Sequence, residues 1–215
     1  MTKIIYDNQI NYLSSLRISN DLLIEEMEEF AAKKGIPILD WKSAEFLEQL
    51  ISAAKPKRVL EIGTAIAYSS IRIARRLQKN ATLDTIEKSI NNIRLAEGYI
   101  TRAKLYSSVK ILKGDALEII PILEHDYDFI FLDADKQDYE RLFHYSLMML
   151  KKGGIIFVDN LLWHGYAASK IVPTSFQKST KIIREFNKVF ISSSVLQSTI
   201  LPIGDGIGFG VKIIK

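Results

Sequence analysis

Two acidic residues close two apolar runs in the stretch 127–160, YDFIFLDADKQDYERLFHYSLMMLKKGGIIFVDN. Asp133 follows the run Phe129–Leu132; Asp159, with Asn160 beside it, follows Ile155–Val158. Short apolar runs separated by an amphipathic stretch, here closed by Lys151-Lys152-Gly153-Gly154, predict parallel strands joined by a helix. Ligands of such sheets bind beyond the carboxyl ends of the strands, so Asp133, Asp159 and Asn160 should project into one crevice. Two carboxylates and an amide are oxygen donors that suit a hard divalent cation such as Mg²⁺. The competing reading makes both acids caps for the loops that follow. Two acids and an amide at adjacent strand ends weigh toward the metal.

A sheet that presents these ends needs strands before them. Arg58–Gly63 predicts the first, Ala81–Ile86 a second ending in Glu87, and Val109–Leu112 a shorter third. The first is followed by the turn Thr64–Ala67 and a helix over 70–77. Strand, glycine turn and helix make a nucleotide-binding arrangement, in which Gly63 lets the backbone approach a ligand and the helix start offers free N–H groups. The turn is not GxGxxG, because positions 65 and 67 are alanine, and not a P-loop, because no Gly-Lys-Ser/Thr follows. Alone it reads equally well as a plain turn. An acid about 20 residues past such a turn, here Glu87, accepts hydrogen bonds from ribose hydroxyls; the alternative is a carboxylate favoured at a helix start. Asp115 caps a helix through Leu117, Ile120 and Leu123 or meets an adenine amino group, and the two roles are compatible.

The 215 residues, 47% hydrophobic and 25% charged, support one globular domain. The absence of cysteine excludes disulfides, thiolate metal sites and cysteine nucleophiles, and fits a cytoplasmic protein. No apolar run approaches the roughly 18 residues of a membrane span, and the start carries no signal peptide. A net charge of +4 is compatible with an anionic substrate without singling out nucleic acid. Residues 1–35 read as a helical extension of the domain. Ile4, Ile5, Ile10, Tyr12, Leu13 and Leu16 lie on its first helix; the second is capped by Ser19 or Asn20, stopped by Gly35, and acidic on one face through Glu25, Glu26, Glu28 and Glu29. These helices precede the sheet with no strand to cover, so a partner subunit is expected there.

A helix over 43–54 leads into the sheet, and a loop opened by Trp163, His164 and Tyr166 follows Asn160. Trp163, Tyr166 and Trp41 would stack on a planar substrate or pack in a wall; His164 is left unassigned, and His125 and His144 read as structural or exposed. A helix over 175–189 carries Lys178, Lys181, Arg184 and Lys188 on one face. With Lys170, and with the cluster Arg72, Arg75 and Arg76, these are the candidates for phosphate contacts, against the alternative of solvated faces. Residues 192–201 and 207–214 predict an antiparallel pair joined by the turn-rich segment 202–206.

The motifs VLEIGTAIAYSS (59–70), TIEK (85–88), KGDAL (113–117), FLDADKQDY (131–139), GGIIFVDNLLWHG (153–165) and LPIGDG (201–206) together closely resemble the cation-dependent O-methyltransferases, the family that includes catechol and caffeoyl-coenzyme-A methyltransferases. The resemblance covers nearly the whole chain after residue 35. It implies an α/β, Rossmann-like sheet of seven strands, mostly parallel with an antiparallel last strand, and helices on both faces. By matching motif positions, Leu39, Gly63, Ser69, Glu87, Asp115 and Asp133 would hold S-adenosylmethionine. Asp133, Asp159 and Asn160 would hold Mg²⁺ or another divalent cation such as Mn²⁺ or Ca²⁺. Lys136 matches the family's proposed general base, with a surface lysine as the alternative. Ala67 departs from the family, which usually has glycine there, and a small adjustment of the turn is expected. The resemblance also implies a homodimer with the N-terminal helices as its contact. Those helices, Ile36-Pro37-Ile38 and LPIGDG further resemble the bacterial branch that methylates 5-hydroxyuridine at the tRNA wobble position. The implied partner is then the tRNA anticodon region. Small catechol-like phenols are the alternative acceptors, and a non-catalytic nucleotide-binding module is the alternative outside enzymes.

Overall fold

The computed structural model of the chain describes residues 6–18, 21–123 and 126–214. Two compact units divide it, Met1–Pro37 and Ile38–Lys215. In the first, α1 (Asp7–Leu16) and α2 (Leu22–Lys34) are joined by the Arg17 guanidinium, which grips both oxygens of Glu28 at 2.9 and 2.7 Å. Ser19 and Asn20, expected as the cap of α2, lie outside the described residues, as do Ile4, Ile5 and His125. Asp21 supplies the cap, accepting from the Leu23 and Ile24 N–H groups, and Gly35 closes the helix in the left-handed conformation.

In the second unit, seven strands among the described residues form one sheet: β1 (Arg58–Ile62), β2 (Thr82–Glu87), β3 (Val109–Lys113), β4 (Tyr127–Leu132), β5 (Leu150–Val158), β6 (Leu196–Leu201) and β7 (Ile207–Lys212). Their order is β3-β2-β1-β4-β5-β7-β6, and only the pairings of β7 are antiparallel. The helices that flank it are α3 (Trp41–Ala54), α4 (Tyr68–Ala74), α5 (Ile90–Arg102), α6 (Ala116–Ile119), α7 (Tyr139–Met149) and α8 (Thr174–Ser192). Both faces of the central strands are covered, as their unbroken apolar runs require. Ile130, Leu132, Ile156 and Val158 join Tyr139 and Phe143 of α7 and Phe186 and Phe190 of α8. On the alternate positions, the Phe157 ring stacks on Phe129, meets Phe131 edge-on and lies tilted against Phe46 of α3.

Three expectations shift. The helix expected through Leu117, Ile120 and Leu123 is cut short at Ile119, and a 3₁₀ turn over Ile120–Ile122 replaces it. Pro121 has no N–H to continue an α-helix. The Lys151–Gly154 stretch lies inside β5, where the pairing register shifts between Tyr127 and Phe129 and Gly153 takes φ 79°. Finally, residues 192–195 are not strand: Ile183, Phe186 and Phe190 keep the helical apolar spacing, so α8 runs to Ser192 and β6 begins at Leu196.

Gly63 ends β1 with φ 107°, and a β-carbon there would lie 1.9 Å from the Asp133 carbonyl oxygen. Its missing side chain serves the packing of two strand ends, whatever ligand lies beyond. Gly63→Ala should therefore destabilise the fold by at least about 2 kcal/mol. The matching fall in Tm is roughly 4–8 °C. An unchanged Tm in a thermal melt would contradict the close approach.

Candidate active site

The ladder of the sheet continues one residue past its strands and seats the acids side by side. The Gly63 N–H donates to the Ile86 carbonyl at 3.1 Å, Asp133 to Ile62 at 2.9 Å, and Asp159 to Leu132 at 3.1 Å. Gly63, Asp133 and Asp159 are thus the next step of rows whose last strand residues are Ile62, Leu132 and Val158. The strand ends expected to carry the acids therefore lie side by side.

Lys136 is the hub of the cluster. Its Nζ, with three protons, lies within hydrogen-bonding distance of four acceptors: Asp133 Oδ1 at 3.2 Å, the Ala134 carbonyl at 3.1 Å, Tyr139 Oη at 2.5 Å and Asn160 Oδ1 at 2.6 Å. Its charge also sits 4.5 Å from the centre of the Tyr139 ring and 5.6 Å from that of Trp163. The side chain is only 12% exposed, so it is not a surface lysine. Asp159 is 4% exposed, and its Oδ1 has no hydrogen-bond partner among the described residues. Burial, and then the Asp133 carboxylate, hold the Asp159 carboxyl well above the usual carboxylate range. Tyr139, fully buried, donates to the Asp159 carbonyl at 3.1 Å, and burial followed by the surrounding carboxylates raises its phenol. Two acids, one amide oxygen and one ammonium therefore share a place where added positive charge is favoured. Among the described residues no three His, Cys, Asp or Glu side chains gather as a metal site; the donor set here depends on the amide.

A brace from the far end of the chain holds this loop. Asp205 Oδ2 accepts from Asn160 Nδ2 at 3.1 Å, and its Oδ1 accepts from the His164 N–H at 2.5 Å. The Leu161 and Leu162 N–H groups donate to the carbonyls of Gly206 and Asp205 at 2.9 and 2.8 Å. Asn160, Trp163, His164 and Gly165 all have positive φ, so the loop follows a path that few residues adopt without such support. Asp205 and Tyr139 both lie in motifs the sequence displayed, but their roles depend on chain pairings that spacing does not reveal.

On the other side of Gly63, the turn places Ala65 and Ala67 at φ 46° and 69°. Ala67 bears the left-handed conformation with a β-carbon, at a cost of about 1 kcal/mol, and α4 still starts at Tyr68. Glu87 accepts from the Ala65 N–H at 2.9 Å and the Ser89 N–H at 2.8 Å, tying the turn to the end of β2. Each carboxylate oxygen has two lone pairs, so capacity for a hydroxyl remains. Asp115 caps α6 through the Leu117 N–H at 2.9 Å. Leu39 is buried beside Asp40, the cap of α3. Ser69 has a partner the sequence did not suggest: its hydroxyl donates at 2.5 Å to Glu61, a carboxylate buried in the middle of β1. Ser70 and Thr85 donate to the other oxygen of Glu61. Burial pushes the Glu61 carboxyl up to about 7 against the pull of these three hydroxyls.

At the mouth, Trp163, His164, Tyr166 and Phe176 form one aromatic patch, with centroid separations of 5.0 Å for Trp163–His164 and 5.1 Å for Tyr166–Phe176. The Trp163 indole donates to Ser179 Oγ at 2.9 Å. Two basic groups have structural work instead of a free face. Arg184 donates to the carbonyls of Ala167, Tyr166 and Ser169, clamping the loop. Arg72 is buried against Glu48 and Tyr68, and Arg76 pairs with the same glutamate. Lys170, Lys178 and Lys181 remain exposed beside the patch on the chain.

Comparison with known proteins follows the same lines. The O-methyltransferase family profile matches residues 14–213. A catechol O-methyltransferase of Niastella koreensis is 30% identical over 207 residues, covering 94% of this chain and 92% of that protein. A candidate caffeoyl-CoA O-methyltransferase from Staphylococcus aureus superposes with a TM-score of 0.89 at 30% identity, covering 96% of this chain and all of the other. An O-methyltransferase from Bacillus cereus, solved with S-adenosylhomocysteine, gives 0.81 at 29% identity, covering 94% and 96% of the two chains. No helix among the described residues is long and apolar enough to cross a membrane.

Glu61 carries a pH dependence with a definite sign. Its folded pKa, about 7, lies above the ordinary 4.5, so its contribution to stability is complete below about 4.5 and is lost as pH rises through 7. The swing is about 3 kcal/mol. Relative to Glu61→Gln, the wild-type Tm should fall between pH 5 and pH 8; parallel Tm curves for the two proteins would refute the shift.

Proposed function

The chain belongs to the O-methyltransferase family and is an S-adenosylmethionine-dependent O-methyltransferase, and from that premise we propose that it acts with a divalent cation on a planar acceptor bearing two neighbouring oxygens, 5-hydroxyuridine at the tRNA wobble position. The observation that carries the reading is the cluster itself: Asp133 and Asn160 already surround one cation, the Lys136 ammonium, while the buried Asp159 Oδ1 lacks a partner. These residues fit a hard cation, and Asp133, Asp159 and Asn160 would hold it. S-adenosylmethionine supplies a methyl group on a sulfonium, and a divalent cation supplies Lewis acidity toward the acceptor oxygens.

The chain's own groups do the rest. Gly63, Glu87, Asp115 and Ser69, with Leu39, frame the cofactor side, and Asp133 stands between the two halves. Lys136, once its ammonium has released a proton to solvent, would take the acceptor's hydroxyl proton at Nζ as that oxygen accepts the methyl group. Tyr139 and Ala134 hold that amine beside Asp133. Trp163 and the patch around it offer faces for a planar ring, and fixing that ring in line with the donor accounts for much of the acceleration. In 5-hydroxyuracil the O5 hydroxyl and the O4 carbonyl are the neighbouring pair. Lys170, Lys178 and Lys181 would meet the anticodon phosphates, and an action on tRNA places the protein in the cytoplasm.

The second reading takes small catechol-like phenols as acceptors; the catechol O-methyltransferase of Niastella koreensis, similar over nearly its whole length, favours it. The exposed Tyr12, Leu16, Ile18 and Leu22, the last two more than 80% accessible, support the N-terminal unit as the contact of a homodimer. Light scattering would report a dimer that charged substitutions at Leu16 and Leu22 dissociate.

Asp133→Ala should keep the fold and lower kcat/KM at least about 10²-fold. Chelator should silence the wild type and Mg²⁺ restore it; full turnover of the variant in chelator would sink the metal reading. Nucleoside mass spectrometry of tRNA from a strain lacking the protein should lose 5-methoxyuridine. Unchanged nucleosides with purified turnover of catechol would move the assignment to phenols. No turnover on either acceptor, with the cofactor bound, would leave a nucleotide-binding module.

A further inference from the structure

We propose that Asp205 orients the amide of Asn160 and thereby decides whether the site presents three oxygen donors or two; this rests on the cation reading above. A primary amide is nearly the same shape at both ends, and half a turn about its last bond exchanges oxygen for NH₂. Only the oxygen can serve a hard cation. Asn160 is held between two groups that allow one orientation. Lys136 can only donate, and it meets Oδ1 at 2.6 Å; Asp205 Oδ2 accepts, and it meets Nδ2 at 3.1 Å. If a cation displaced Lys136 from Oδ1, the contact to Asp205 would be the one left to keep the oxygen facing inward.

Asp205 is itself rigidly placed. Its second oxygen takes the His164 N–H at 2.5 Å, and its carbonyl takes the Leu162 N–H at 2.8 Å. A β-carbon on Gly206 would come within 2.5 Å of the Leu162 backbone nitrogen, so the close approach of the two loops needs that glycine. The acid is needed at position 205 because two donors, Asn160 Nδ2 and His164 N–H, converge on it from different sides. An asparagine there has a single acceptor oxygen and would leave one donor facing an NH₂. Asp205 lies one residue farther from the reacting atoms than the cation's own donors, so it is a positioning residue.

The test is a double-mutant cycle read by Mn²⁺ binding to the full chain, followed through the electron paramagnetic resonance of free Mn²⁺. Wild type should bind and Asp133→Ala should not. Asp205→Asn should weaken binding about ten-fold or more. In an Asn160→Asp background both ends of side chain 160 are oxygens, so adding Asp205→Asn should weaken binding less than about two-fold. Thermal melts of each variant separate a folding defect, which would lower Tm in both backgrounds. Wild-type affinity in Asp205→Asn, or equal losses in the two backgrounds, would overturn the orienting role while leaving the cation site standing. A wild type that binds Mn²⁺ no better than Asp133→Ala would overturn the cation reading, and this proposal with it.

Discussion

Two carboxylates on neighbouring strand ends, one of them almost out of water, need positive charge between them. Strands in a sheet lie about 5 Å apart. At an effective dielectric of about 20, two like charges at that spacing would repel by roughly 3 kcal/mol, and burial together with this repulsion holds the Asp159 carboxyl well above the usual carboxylate range. Asp133 is 31% exposed at its side chain and can lean on solvent; Asp159, at 4%, cannot. The chain answers with Lys136, whose ammonium touches Asp133, Asn160 and Tyr139 at once. A lysine can answer only in part, because Asp159 Oδ1 is left without a partner. Leaving a buried oxygen unpaired is costly in a fold with no use for it, and useful in one that binds cations there.

The same constraint explains why so much distant structure converges on residues 159–165. The left-handed path after β5 is supported by two separate regions: Asp205 and Gly206 from the turn before β7, and α8, whose Asn187 donates to the Leu161 carbonyl at 2.8 Å while Arg184 clamps the continuation of the loop at Tyr166 and Ala167. Across the sheet, Glu61 plays an opposite part. It sits in register between Thr85 and Phe131, a carboxyl in a row that continues through Phe157 and Phe209. Three hydroxyls satisfy it there, which fastens the start of α4 to β1 and β2 and fixes the turn that Gly63 begins.

Much of this was legible in the sequence. Apolar runs ending in acids located the strand ends, because a parallel strand buried on both faces leaves few other places for a carboxylate. Asp133, Lys136, Asp159 and Asn160 were found that way or through the family resemblance; Lys136 bonds both Asp133 and Asn160, and Asp159 follows the neighbouring strand. What stayed hidden depended on contacts between remote segments. Asp205 lies 45 residues from the amide it binds. Glu61 stands in the apolar run of β1 without a role the sequence suggests, and only the register that sets Thr85 beside it completes a hydroxyl cage. Gly63 was read as room for a ligand, whereas the nearest obstacle to a side chain is the Asp133 carbonyl. The basic residues misled for the opposite reason: helical spacing put Arg72 and Arg184 on charged faces, but each turns back onto its own fold.

The division of labour within the site bears on how one scaffold can serve unlike acceptors. The acids lie at the ends of strands that pack on both faces, so their positions are set by the core. The ring of an acceptor would meet Trp163, His164, Tyr166 and Phe176 instead, on the loop after β5 and the start of α8, where the backbone is held by a few side-chain contacts. On the cation reading proposed above, a cation held at the strand ends would recognise a pair of oxygens and be indifferent to whether a phenol or a pyrimidine carries them. On that reading, selectivity between a free phenol and a base on a folded RNA would come from the loop and from the exposed lysines beside it, where substitutions would change the acceptor without disturbing the methyl transfer.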